Sequence, residues 1–137
     1  MWSQKELVLK PRERGIHIVT NEILQELPPL PEIGILNLFI KHTSAALSIN
    51  ENADPDVRVD MEYLLDKLVP DIDQNYFHTA EGPDDASSHT KASIIGPSLT
   101  IPITRGRLNL GTWQGIYLLE FRENKSARHI IVTITGE

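Results

Sequence analysis

Alternating apolar and polar residues at both ends of the chain, with a proline-bracketed helical run between them, restrict this sequence to an α+β fold. Near the N-terminus Leu7 and Leu9 share one side of an alternating run, Arg14-Gly15 punctuates it, and Ile16-His17-Ile18-Val19 follows. Residues 21–27 are expected to form a short helix stopped by Pro28-Pro29. Residues 35–42 read as a strand with Leu36, Leu38, Ile40 and His42 on one face. In the last third Leu99, Ile101 and Ile103 alternate with Thr100 and Pro102, and the proline predicts an edge position. Residues 116–122 and 130–135 complete the strand set.

The middle of the chain is helical. Asp54 is placed to cap a helix that has Pro55 at its first position. Val57, Met61, Leu64, Leu65 and Leu68 then recur at helical spacing until Pro70. The long connection from 70 to 98 is of the kind that carries function. Within it, Gly82-Pro83-Asp84-Asp85, Lys91 and Gly96 read as a proline start, an acidic first turn, a basic last turn and a glycine stop, giving a helix over 83–95. That helix places Asp85 and His89 on one face. The expectation is a single β-rich domain over 1–137, built of two packed, mostly antiparallel sheets with two or three helices.

Composition narrows the chemistry. At 137 residues the chain suits one domain with one core. It has no cysteine, so any metal must be held by imidazole nitrogen and carboxylate or amide oxygen. A net charge of −6 argues against a nucleic-acid partner, though local Arg or Lys residues can still clamp a phosphate. There is no apolar run of membrane-spanning length, and the first residues lack a signal-peptide pattern, so no membrane association and a cytoplasmic location are expected.

Three constellations could carry chemistry. The run from His42 to Asp56 concentrates polar groups between a strand end and a helix start. Asp54 is explained by capping, whereas Glu51 has no evident structural duty and is a candidate catalytic base. The run from His78 to His89 holds two histidines and three carboxylates, Glu81, Asp84 and Asp85, in twelve positions and is the densest ligand source in the chain. Its spacing matches no standard zinc motif, and a solvated loop would look the same. The run from Arg105 to Gly115 offers Trp113 as a stacking surface and Gln114 as an amide for a small-molecule substrate. A glycine-rich turn with a core tryptophan is the competing explanation. Arg105, Arg107 and Lys91 are the candidate phosphate clamp. His17 and His129 fall within strand patterns and read as structural.

The runs His42-Thr43-Ser44-Ala45-Ala46-Leu47, Asn50-Glu51-Asn52-Ala53-Asp54-Pro55, His78-Thr79-Ala80-Glu81-Gly82-Pro83-Asp84-Asp85, His89-Thr90-Lys91-Ala92 and Leu110-Gly111-Thr112-Trp113-Gln114-Gly115-Ile116 together resemble the YjbQ-like family, also called the secondary thiamine-phosphate synthase family. The resemblance runs from about residue 5 to the C-terminus. It implies a compact α+β fold that forms a homotrimer, with a histidine-lined metal site close to the subunit interface. It also implies His42, His78 and His89 as ligands, Glu51, Asp85 and Gln114 as pocket residues, and a weak thiamine-phosphate synthase activity.

That reaction displaces diphosphate from a pyrimidine methyl carbon by a thiazole nitrogen. It needs the leaving diphosphate neutralised and the pyrimidine stacked. Imidazole ligands favour Zn²⁺, whereas a diphosphate substrate commonly brings Mg²⁺, which wants oxygen ligands. A histidine-rich site also suits metal-assisted hydrolysis of a small phosphorylated metabolite, with Glu51 or Asp85 as base. A closed structural metal site in a non-enzymatic trimer is the third reading.

Overall fold

The computed structural model describes residues 1–123 and 126–137. Its elements are β1 (Trp2–Leu9), β2 (Gly15–Ile18), α1 (Thr20–Leu24), β3 (Ile33–Ile40), β4 (Ala45–Glu51), α2 (Pro55–Leu68), α3 (Asp85–Ile95), β5 (Ser98–Thr104), β6 (Arg107–Leu108), β7 (Gln114–Glu120) and β8 (Arg128–Gly136). They form a five-stranded sheet in the order β1-β8-β3-β5-β6 and a three-stranded sheet in the order β2-β7-β4. Every pairing is antiparallel. The expected α+β, two-sheet architecture is therefore present, with three helices. No helix among the described residues is long and apolar enough to cross a membrane.

Three layers result, because the smaller sheet is apolar on both faces. Ile116 and Leu118 of β7 join Leu36, Leu38, Ile101, Val132 and Ile134 between the sheets. Tyr117, Leu119 and Phe121 point the other way and meet Ala92, Met61, Leu65 and Ile95 of the helices. A strand buried on both sides reads as a continuous apolar run, which is how Ile116-Tyr117-Leu118-Leu119 appears in the sequence.

Several boundaries move. Strand β3 stops at Ile40, so His42 lies beyond the strand in the turn toward β4. Strand β4 itself was hidden inside a stretch that the polar residues after His42 made look like loop. Helix α1 ends at Leu24, ahead of the prolines. Helix α3 begins at Asp85, with Gly82 at φ +114° in the turn before it and Gly96 at φ +109° after it. No basic residue occupies its last turn, because Lys91 falls mid-helix. Pro102 is not on the outermost strand. Its carbonyl accepts from Asn109 N–H at 2.8 Å on the β6 side, and its missing N–H faces that same way, beyond the two residue pairs that β6 makes.

Strand register also fixes two ends. Phe39 pairs with Ser98 at the end where His42 emerges, and Ile33 pairs with Thr104 at the other. In the smaller sheet Ala45 pairs with Glu120 and Glu51 with Gln114. Six residues separate the two ends in each case, roughly 20 Å at about 3.3 Å per residue.

Candidate metal centre

Helix α3 and the loop before it build the centre. Asp85 opens the helix and is 2% exposed, and His89 stands one turn later. His78 comes from the exposed stretch ahead of Gly82. His78 Nε2 contacts Asp85 Oδ2, and His89 Nε2 lies 3.2 Å from Asp85 Oδ1. The two imidazoles stand 5.4 Å apart between centroids, tilted by 48°. One donor atom from each of His78, Asp85 and His89 falls within 4.8 Å of the other two.

The surroundings orient these groups. His89 Nδ1–H donates to the Thr43 carbonyl at 2.9 Å, which leaves Nε2 as the lone-pair nitrogen facing Asp85. Thr43 is held in turn by its neighbour Ser44, whose hydroxyl accepts from Arg128 Nη2 at 3.0 Å. Arg128 makes a buried pair with Glu120, Nε to Oε1 at 2.7 Å. Asp85 Oδ1 accepts from Arg122 Nη1. Its Oδ2 is buried and meets no hydrogen-bond partner among the described residues apart from its contact with His78. A buried carboxylate oxygen with no donor is costly. Two imidazole nitrogens and one such oxygen are the donor set of a zinc-type site with a position left open, so these residues fit the metal that the resemblance implies. They fit Mg²⁺ poorly.

His42 is not part of this set. Its Nε2 accepts from His129 N–H at 2.8 Å, and its ring stands 5.8 Å from that of His129. Burial, then the positive charge of Arg128, holds the His42 imidazole below its ordinary pKa. It lines, with Thr43, Ala45, His89 and Ser93, a cavity of about 470 Å³ beside the centre. A second cavity of about 300 Å³ lies on the His78 side, between Tyr76, Pro83 and Asp71. Of the three histidines expected together, His78 and His89 stand with Asp85 in one cluster, and His42 lines the cavity beside it.

The remaining candidates sit elsewhere. Lys91 is buried, pairs with Asp66 and lies 5.7 Å over the Phe121 ring, so it is no part of a surface phosphate clamp. Arg105 and Arg107 flank the β5–β6 turn, with Arg105 at φ +53° and Gly106 at φ +72°, on the end away from His42. Glu51, Trp113 and Gln114 occupy that end of the smaller sheet. Glu51 does have a structural duty, contrary to expectation. Its carboxylate accepts from the Ala53 and Asp54 N–H groups, the latter at 3.1 Å, ahead of the Asp54 cap that accepts from Asp56 N–H. Gln114 Oε1 accepts from Gly111 N–H at 2.8 Å, and Trp113 is 65% exposed rather than in the core. His17 and His129 lie in β2 and β8. Sequence reasoning missed Arg122, Glu120 and Arg128. They sit in or beside apolar strands, and only the fold brings them against Asp85 and Ser44.

The family described as UPF0047 protein YjbQ-like matches residues 5–137. The UPF0047 protein YjbQ of Escherichia coli O157:H7 is 50% identical over 139 residues, covering 100% of both chains. The UPF0047 protein YugU of Bacillus subtilis is 41% identical over 67% of this chain and 70% of its own length. Among solved structures, an uncharacterised conserved protein of the same family from Clostridium acetobutylicum superposes with a TM-score of 0.82 at 38% identity, covering 96% of this chain and 99% of that one. A protein of unknown function from Sulfolobus solfataricus P2 gives 0.84 at 25% identity, covering 100% and 99%.

Proposed function

The chain belongs to the UPF0047 protein YjbQ-like family, and from that premise we propose that it is a metal-dependent enzyme acting on a small phosphorylated or heterocyclic metabolite, with thiamine-phosphate synthesis as the named reaction. The observation that carries this reading is the buried Asp85 carboxylate set between two imidazoles: its Oδ2 meets only His78 among the described residues, and its Oδ1 lies 3.2 Å from His89 Nε2. A divalent cation, zinc by the donor set, would sit among His78, Asp85 and His89 and supply positive charge against a leaving diphosphate. His89 is held for this by Thr43, and the cavity beside it admits a small molecule.

The groups suited to binding the substrate's phosphate and ring are Arg105, Arg107, Trp113 and the free amide nitrogen of Gln114. They stand at the other end of the strands. In the synthase reading they come from a second copy within a homotrimer. Self-association is supported by α2, whose 14 residues include none that is buried. Val59, Tyr63, Leu64 and Leu68 on that helix, with Ile72 and the fully exposed Phe77 beyond it, leave apolar surface uncovered. The competing reading, metal-assisted hydrolysis, is favoured by a single observation. The cluster and its cavity are formed within one chain, whereas Arg105 and Arg107 stand at the other end of the strands.

The deciding experiment measures bound metal by elemental analysis and assays the formation of thiamine phosphate from the pyrimidine diphosphate and thiazole phosphate, for wild type and His89→Ala. Loss of both metal and turnover in the variant is expected. Equal turnover in a variant stripped of metal would sink the metal-enzyme reading. Hydrolysis of the diphosphate without coupling would favour the hydrolase.

A further inference from the structure

We infer that Arg122 is a positioning residue for the His78–Asp85–His89 centre, locking the loop that carries His78 and the Asp85 carboxylate into one ligand geometry; the inference rests on the metal-site reading above. Arg122 follows β7, with a side chain only 14% exposed. Its guanidinium reaches three points of the segment between His78 and α3. Nη1 donates to Asp85 Oδ1, Nη2 donates to the Glu81 carbonyl at 3.1 Å, and Nε lies 3.5 Å from Asp84 Oδ2. The backbone behind it is fixed as well. Arg122 N–H donates to Glu120 Oε2 at 3.1 Å, within the buried Glu120–Arg128 pair, and Glu123 N–H donates to Asp84 Oδ2 at 3.1 Å.

The consequence for the centre is geometric. Residues 77–81 are exposed and have little packing of their own to place His78. The Glu81 bond ties that stretch to the end of the sheet. The Asp85 bond occupies Oδ1 and turns Oδ2 toward His78. One planar fork therefore sets both a ligand-bearing loop and a ligand oxygen through two separate nitrogens, which the single ammonium of lysine does not reproduce. The guanidinium also offsets part of the negative charge of the adjacent Asp84 and Asp85, so it opposes cation binding electrostatically while favouring it by geometry. The inference is that geometry wins.

The test titrates the full chain with Co²⁺, reading affinity by chelator competition and site geometry from the visible absorption bands. It compares wild type, Arg122→Lys, Arg122→Gln and Arg12→Gln. Arg12 is the control, since it is a half-buried arginine paired with Glu22 of α1, and neither residue lines the two cavities beside the centre. Both Arg122 variants are expected to weaken Co²⁺ by about 10–100-fold and to alter the bands, as loss of an outer-sphere partner does. Arg12→Gln should lower thermal stability and leave the bands and affinity unchanged. Wild-type affinity in Arg122→Gln, or tighter binding, would overturn the inference, the second outcome showing that the charge alone matters. Should wild type itself bind no Co²⁺, the metal reading fails. The clamp is then judged by hydrogen exchange in the metal-free protein, where amides of 79–85 should exchange at least about tenfold faster in Arg122→Gln than in wild type or Arg12→Gln. Equal exchange there would overturn it too. Arg122→Lys keeps both measurements available if the glutamine variant does not fold.

Discussion

The two ends of the strand layers are built from similar material, polar turns beside a strand terminus and a helix start, yet they hold their polar groups in opposite ways. At the end near α2, Glu51, Asp54 and Gln114 spend their side-chain oxygens on the N–H groups of Ala53, Asp54, Asp56 and Gly111, all within three residues in sequence. At the end near α3, Asp85 is held by Arg122 from 37 positions away and Ser44 by Arg128 from 84, and one buried carboxylate oxygen is left facing His78. Local use of an oxygen completes a turn and leaves nothing over. A long-range network can hold a group where no local bond would place it, and so can leave an atom available for a ligand.

This contrast predicts unequal costs when each end is disturbed. The largest is expected at the buried pair beneath the centre. Arg128→Ala leaves the fully buried Glu120 carboxylate uncompensated, and should lower unfolding free energy by about 3–5 kcal/mol in chemical denaturation. Should it cost less than about 1 kcal/mol, on the scale of an exposed pair, the network under His89 is not the tight support described here. The other end gives less. Glu51→Ala removes the acceptor for two N–H groups ahead of α2 and should cost about 1 kcal/mol, the range of a lost cap. It should not change Co²⁺ affinity, because Glu51 stands at the far end of β4. A drop in affinity comparable to that of His89→Ala would erase the distinction between the two ends, or show that a second copy brings Glu51 to the centre.

The difference between the ends also explains what the sequence revealed. The strands and α2 were readable because alternation, a capping aspartate and flanking prolines act over a few residues. Asp85 and His89 were readable as a pair, since one helical turn separates them. Strand β4 was not, because its apolar core Ala45-Ala46-Leu47 is short and bracketed by polar residues that serve the turns on either side. Trp113 and Glu51 were weighted by residue type, which cannot tell an exposed ring from a stacking platform, nor a capping carboxylate from a base. Lys91 read as surface charge because nothing nearby in sequence announces Asp66, 25 positions away, as its buried partner. Arg122 and Arg128 carried no local signal at all.

The smallest expected effect separates the ends by pH. The region of Arg105 to Gln114 carries no histidine, the residue type that ordinarily changes charge between pH 5 and 8. His42, at the other end, has its pKa lowered by burial and by Arg128, and its neutral Nε2 accepts the His129 N–H. The folded state therefore prefers the neutral ring. The corresponding stability is fully present above the ordinary histidine value of about 6.5 and is lost as the pH falls through the lower folded value. Unfolding midpoints of wild type and His42→Gln, measured with a chelator present, should run parallel above about pH 6.5 and converge or cross below it, with wild type losing ground. Parallel profiles down to pH 5 would mean that the His42–His129 bond contributes nothing to stability that protonation can remove, and would take away the pH response expected of His42.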